Sequence, residues 1–339
     1  MRGRVFATLS VVAVGVAFAL LNGSTVGGQA STGSTRSSAT AGDIWAGWNP
    51  PRTGYAPRRT PDGQPDIQGV YMWPPGTRPV VDEESGPAQG ATGPARAPTG
   101  DGSAPTGNAP EFWYEGRYKP DGTLVQLSRP RYPSRAEEIV YQPWAAAKRA
   151  YIRQYENKQR RLLDPRVRCF TMGLPRINNP QPYFSNQFRQ AAGKVTIFYE
   201  ANHDYRMVPL DGRPHIGPTF RFWMGDSRGH WEGTTLVVDV TNFNDKTWLA
   251  APPGSGTFHS DALHVVERYT PLDPDQIYYE AWVDDPNVLA KPFRMGLTMT
   301  RAWQAGYEQL EYACHEGNKA VDNILDGAAN LALPPAQRK

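Results

Sequence analysis

The stretch Ile277-Tyr278-Tyr279-Glu280-Ala281-Trp282-Val283-Asp284 decides the fold class. It holds no glycine or proline and is rich in aromatic and β-branched side chains, the composition of a strand. Side chains alternate between faces along a strand, so Ile277, Tyr279, Ala281 and Val283 share one side. Tyr278, Glu280, Trp282 and Asp284 share the other. The first set is apolar and suits a core. The second mixes rings with carboxylates.

The same texture recurs on either side. Runs at 195–200, 203–208, 219–224, 234–243, 262–270 and 293–303 are short, rich in Val, Tyr, Phe, Trp and Thr, and separated by turn residues. Leu210-Asp211-Gly212 and Pro271-Leu272-Asp273-Pro274-Asp275 are turn sequences. With Asp66-Ile67-Gln68-Gly69-Val70-Tyr71-Met72-Trp73, these runs make about eight strands with no helices between them. That predicts a mainly β fold, an antiparallel up-and-down barrel or a sandwich of similar size. The strong helical signal lies at 134–163. There Ser134 can cap Arg135-Ala136-Glu137-Glu138 with Glu137 as capping-box partner, and Pro143 must break or restart the helix. A short helix is expected at 319–330.

The chain has 339 residues and a formal charge of +3, part of it from Arg2 and Arg4. Without a long basic run, nucleic acid is not an expected partner. Residues 1–30 read as a signal peptide: a positive start, an apolar stretch from Val5 to Leu21, and the small-residue region Gly27-Gly28-Gln29-Ala30. A membrane anchor is the alternative, but that stretch is short for a span. The expectation is a periplasmic or secreted protein with no membrane span after cleavage. A flexible leader follows over 31–60, then a single β-barrel domain over 61–330 with a disordered insertion at 84–110, rich in Gly, Pro, Ala and Thr. Cys169 and Cys314 are the only cysteines. In an oxidising compartment they read as one disulfide, with a catalytic thiol as the alternative.

Several stretches resemble a large, mostly uncharacterised family of secreted bacterial proteins. They are Pro61-Asp62-Gly63-Gln64-Pro65-Asp66-Ile67-Gln68-Gly69-Val70, Cys169-Phe170-Thr171-Met172-Gly173-Leu174-Pro175-Arg176, Asp211-Gly212-Arg213-Pro214-His215, residues 225–248, and His259-Ser260-Asp261-Ala262-Leu263-His264-Val265-Val266-Glu267-Arg268. The resemblance implies a lipocalin-like barrel with an N-terminal arm and a few peripheral helices, and it carries no activity. The family pattern usually has Arg where this chain has His230.

All six histidines lie between His203 and His315. His264 shares a strand face with Val266 and Arg268, opposite Glu267; Asp239 shares one with Val237 and Thr241. Rings, imidazoles and carboxylates on second strand faces suit a lumen that binds a small, aromatic organic molecule. The alternative is an ordinary solvent-facing surface. Four chemistries follow. In acid–base catalysis of lyase or isomerase type, His264, His259, Asp239, Tyr205 and Glu280 would move protons. Arg206, Arg268, Tyr278 and Trp282 would bind the substrate. A carrier would use the same pocket without chemistry. Serine hydrolysis rests on Gly225-Asp226-Ser227-Arg228-Gly229, which matches G-x-S-x-G but reads as a hairpin loop rather than a strand-to-helix turn. A metal site could form only if His259, His264 and Asp239 converged. With no phosphate-cradling loop or dinucleotide fingerprint, no cofactor is expected. The leading reading is a cofactor-independent lyase acting on a small-molecule ligand; oligomeric state is not legible.

Overall fold

The computed structural model describes residues 41–72, 135–178, 184–250, 256–302, 307–332 and 334. The expected signal peptide, the 84–110 insertion and the Ser134 cap lie outside the described residues. Ten strands occur among those described: β1 (Gly69–Met72), β2 (Arg135–Ala136), β3 (Ser185–Ala191), β4 (Lys194–Tyr199), β5 (Tyr205–Pro209), β6 (Asp226–Glu232), β7 (Thr235–Thr241), β8 (His264–Asp273), β9 (Gln276–Asp284) and β10 (Phe293–Arg301). Nine of them run antiparallel in the order β5-β4-β3-β1-β10-β9-β8-β7-β6, and β2 pairs with β10. β10 is long enough to hold β1 against its Arg301 end and β2 against Met295 and Gly296.

The two ends of this order, β5 and β6, lie side by side and nearly close the sheet into a barrel. Side chains fill the seam. Val208 and Leu210 press on Gly229, where an added Cβ would stand 2.6 Å from Val208 Cγ1, so β6 approaches β5 only because this residue has no side chain. The strand alternation predicted for 277–284 holds: Ile277, Tyr279, Ala281 and Val283 belong to the main core, with Val265 and Tyr269 of β8, Leu236, Val238 and Val240 of β7, and Leu297 of β10.

The N-terminal arm wraps the outside. Its one-turn helix α1 (Ala41–Ile44) sets Ile44 against Val237, Val266 and Trp282, a second cluster on the outer face of β7, β8 and β9. Arg294 then donates to the Ala46 carbonyl, Thr53 to that of Leu272, and Trp231 to the Gln64 side chain. The arm crosses one sheet face before entering the barrel as β1.

Three local expectations are corrected. Arg135–Ala136 is a strand rather than a first helical turn, and helix α2 spans Pro143–Tyr155. Pro143 thus starts the helix, where its missing N–H and fixed φ cost nothing. Of residues 225–229, read as a hairpin loop, all but Gly225 lie in β6, and the loop falls at Gly233-Thr234. The run at 219–224 forms no ladder strand, and β3, unexpected from the sequence, pairs β1 with β4. Helix α3 (Ala320–Leu331) matches the expected C-terminal helix within a residue, and Cys169 and Cys314 are joined, across 145 positions.

Candidate functional site

Among the described residues, the barrel interior is polar at its centre and filled by buried side chains. Glu267, fully buried on β8, accepts from Arg206 Nη1 at 2.7 Å, Tyr279 Oη at 2.9 Å, Asn178 Nδ2 at 3.0 Å and Tyr269 Oη at 3.1 Å. Arg206 also donates to the Tyr199 and Tyr269 hydroxyls. Burial alone would weaken the charge on Arg206, but the adjacent Glu267 carboxylate outweighs it and raises its pKa well above the ordinary value. Burial pushes Tyr199 up to about 12, and burial with the Glu267 charge raises Tyr269 and Tyr279 well above their ordinary value. These phenols stay protonated; Tyr269 and Tyr279 donate to Glu267, and Tyr199 accepts from Arg206. Each charge in the network meets its opposite or a hydrogen-bond partner, the condition on which buried ions are tolerated.

Of the nine residues singled out from the sequence, Arg206 alone points into this interior. Tyr205 is on the outside of β5, 60% exposed, beside Phe198. His259 is buried in a loop, where its two ring nitrogens face the Thr247 hydroxyl and the Ser260 carbonyl, each at 2.8 Å. Burial lowers its pKa and favours the neutral ring. His259 therefore stands apart from His264 and Asp239, and among the described residues no three His, Cys, Asp or Glu side chains are placed to hold a metal ion.

The other six lie on the outer face of β7, β8 and β9. The rings and carboxylates that suited a lumen instead line the side covered by the arm. The physical reason is that both faces of β9 are buried, one by the barrel core and one by the arm, so ring content cannot tell inside from outside. Tyr278 lies over Gly296 of β10, whose missing side chain leaves room for the phenol. Trp282 packs under α1 and meets His264 edge-on at 5.4 Å between ring centres.

Toward one end of this face, Asp239 joins two imidazoles. His215 Nε2 lies 2.6 Å from Asp239 Oδ1 and His264 Nε2 lies 2.8 Å from Asp239 Oδ2. His215 Nδ1 reaches Asp226 at 2.9 Å, and Asp226 pairs with Arg228 at 3.0 Å. The result is an unbroken chain Arg228–Asp226–His215–Asp239–His264. Burial would raise the Asp239 pKa, but the two histidines prevail and hold it below its ordinary value. Sequence reading paired His264 and Asp239 as candidates but missed His215, because a loop rather than a strand delivers it.

Toward the other end, two strand positions along the face from His264, a groove of about 340 Å³ opens between arm and sheet. The arm supplies Trp45, Trp48, Pro50 and Arg52; the sheet supplies Glu232, Arg268 and Glu280. Glu280 is buried and accepts from Trp48 Nε1 at 2.5 Å, with Arg268 Nε 4.0 Å away. Arg268 is held by Glu232 at 2.7 Å and stands over the Trp45 ring at 5.7 Å. Burial would raise the Glu232 pKa, but Arg268 holds it below the usual carboxylate range. Thus Arg268 and Glu280, both candidates from sequence, are brought together. Trp45 and Trp48 were missed because they fall in the stretch read as a flexible leader.

Compared with protein-family models, with curated proteins and with solved structures, the chain matches none of them.

Proposed function

We propose that this protein is exported and binds a small organic molecule in the groove between its N-terminal arm and the outer face of the barrel, as a carrier does. The groove carries this reading. Its volume, about 340 Å³, lies within the range of small-molecule sites, and rings alternate along it with polar groups already held in place. The filled interior, with the Arg206–Glu267 pair at its centre, supports a site outside rather than in a lumen. Export is supported by the disulfide, which suits an oxidising compartment, and by the signal-like first thirty residues. Among the described residues no helix is long and apolar enough to cross a membrane. Membership in the lipocalin-like secreted family is part of the same proposal and rests on the stretches quoted above.

The test is native mass spectrometry of the mature protein purified from its host, beside its Trp45→Ala variant. An organic mass on the wild type that disappears from the variant supports the groove. A mass retained by both puts the ligand elsewhere and ends the reading.

A second reading, acid–base chemistry of lyase or isomerase type without a cofactor, is favoured by one observation. Asp239 presents an oxygen to each of two imidazoles, and such a pair can accept and return a proton at the half-exposed His264. If the host-derived ligand is turned over, His264→Gln should abolish turnover and leave folding intact. Full activity in that variant rules His264 out as the base.

A further inference from the structure

We propose that the groove takes a saccharide, a neutral ring bearing neighbouring hydroxyls; this rests on the groove being a ligand site. The argument starts from charge. The wall carries Arg52 and Arg268 against Glu232 and Glu280, two charges of each sign. Arg268 is already compensated by Glu232 at 2.7 Å and faces Glu280 at 4.0 Å. An organic anion entering beside Arg268 meets two carboxylates, and an organic cation entering beside the carboxylates meets Arg268. Burying an ion against a like charge is unfavourable for either class.

A polyol escapes this conflict. Each hydroxyl both donates and accepts, so one sugar edge can donate to carboxylate oxygens and accept from a guanidinium. Carboxylate and guanidinium are planar and two-pronged, and hydroxyls on neighbouring carbons present two atoms at matching spacing. The polar wall is also set in advance. Glu232 and the Trp45 ring hold Arg268, and the Trp48 indole N–H holds Glu280, so little side-chain freedom remains to be lost on binding. The apolar part of the wall, the half-buried Trp45 ring and Pro50, suits the C–H face of a pyranose. Arg52, exposed at the rim, adds donors where a second sugar unit would emerge.

The experiment titrates the full mature chain by calorimetry with maltose, cellobiose and xylobiose, and separately with benzoate, tetramethylammonium and L-phenylalanine. The same series is run on Trp45→Ala and on Arg52→Ala. The second variant changes an exposed side chain and keeps the test valid if the first loosens the arm. At least one disaccharide should bind in the millimolar range or tighter, and affinity should fall about tenfold in either variant, roughly 1.4 kcal/mol. Binding of benzoate, tetramethylammonium or phenylalanine, lost in the variants, with no disaccharide bound, overturns the saccharide assignment and leaves the groove as a site. Disaccharide binding unchanged in Arg52→Ala and in a folded Trp45→Ala overturns the assignment to this groove. No binding by any of the six compounds overturns the saccharide assignment, while a host-derived mass sensitive to Trp45→Ala would still stand for the site.

Discussion

Two single residues have consequences that can be measured directly. Arg206 is buried against Glu267, and its removal strands a carboxylate with two phenols and an amide around it. Arg206→Leu should destabilise the fold by about 3–5 kcal/mol in denaturant titrations, the usual cost of leaving one buried ion unpaired. Adding Glu267→Leu should recover much of that loss; no recovery would mean that packing, not charge, sets the effect. Asp204, at the foot of β5, has one carboxylate oxygen buried without a hydrogen-bond partner, and burial pushes its pKa from 3.8 to about 6. The sign follows from the proton count. Between pH 4 and 6 the folded chain keeps a proton that the unfolded chain has released, so stability falls as pH rises through that window. The loss is up to about 3 kcal/mol at 1.36 kcal/mol per pH unit. Asp204→Asn should remove this slope, gaining stability at pH 8 relative to pH 4; an unchanged slope would assign the effect to other groups.

Among the elements, the N-terminal arm matters most. Its contact with the sheet is anchored by Trp48 Nε1 on Glu280 and by Arg294 on the Ala46 carbonyl. Trp48→Phe keeps the apolar body and removes the hydrogen bond to a buried carboxylate, at a cost of about 1.5–3 kcal/mol. The loosened arm should become accessible to protease ahead of the barrel; cleavage at the wild-type rate would show that the bond does not hold it. The arm also explains what sequence reading missed. Residues 31–60 have the turn-rich, Pro- and Gly-containing texture of a leader, and a segment that docks by two indoles and a few backbone bonds leaves no periodic pattern to detect. β6 was lost for a related reason. Asp226-Ser227-Arg228-Gly229-His230 has turn composition, and it is a strand because β7 pairs with it along its whole length. Ser227 therefore points inward, near Arg206 at 3.4 Å, and not outward on a nucleophile's turn.

On the scale of the whole molecule, the disulfide ties Cys169, before the first barrel hairpin, to Cys314, beyond the last strand. Closing a loop of 145 positions should stabilise the fold by about 5 kcal/mol in the chain-entropy account. Reduction should therefore lower the denaturation midpoint while affinity at the proposed groove site, which neither cysteine lines, stays unchanged in folded protein. Free-thiol titration finding two reactive sulfhydryls before reduction would remove the bridge. The mainly β class was legible because strand periodicity is local: the alternation in 277–284 needs nothing but neighbouring residues. The pairing of the only two cysteines was legible because a chain with two cysteines offers each a single partner within it. Site composition was legible in part: His264 with Asp239, and Arg268 with Glu280, were among the candidates and are neighbours in space. Which side of the sheet they face was decided by the tertiary structure alone. A strand's two faces are equivalent until something packs on them, and here the core took one face while the arm covered the other.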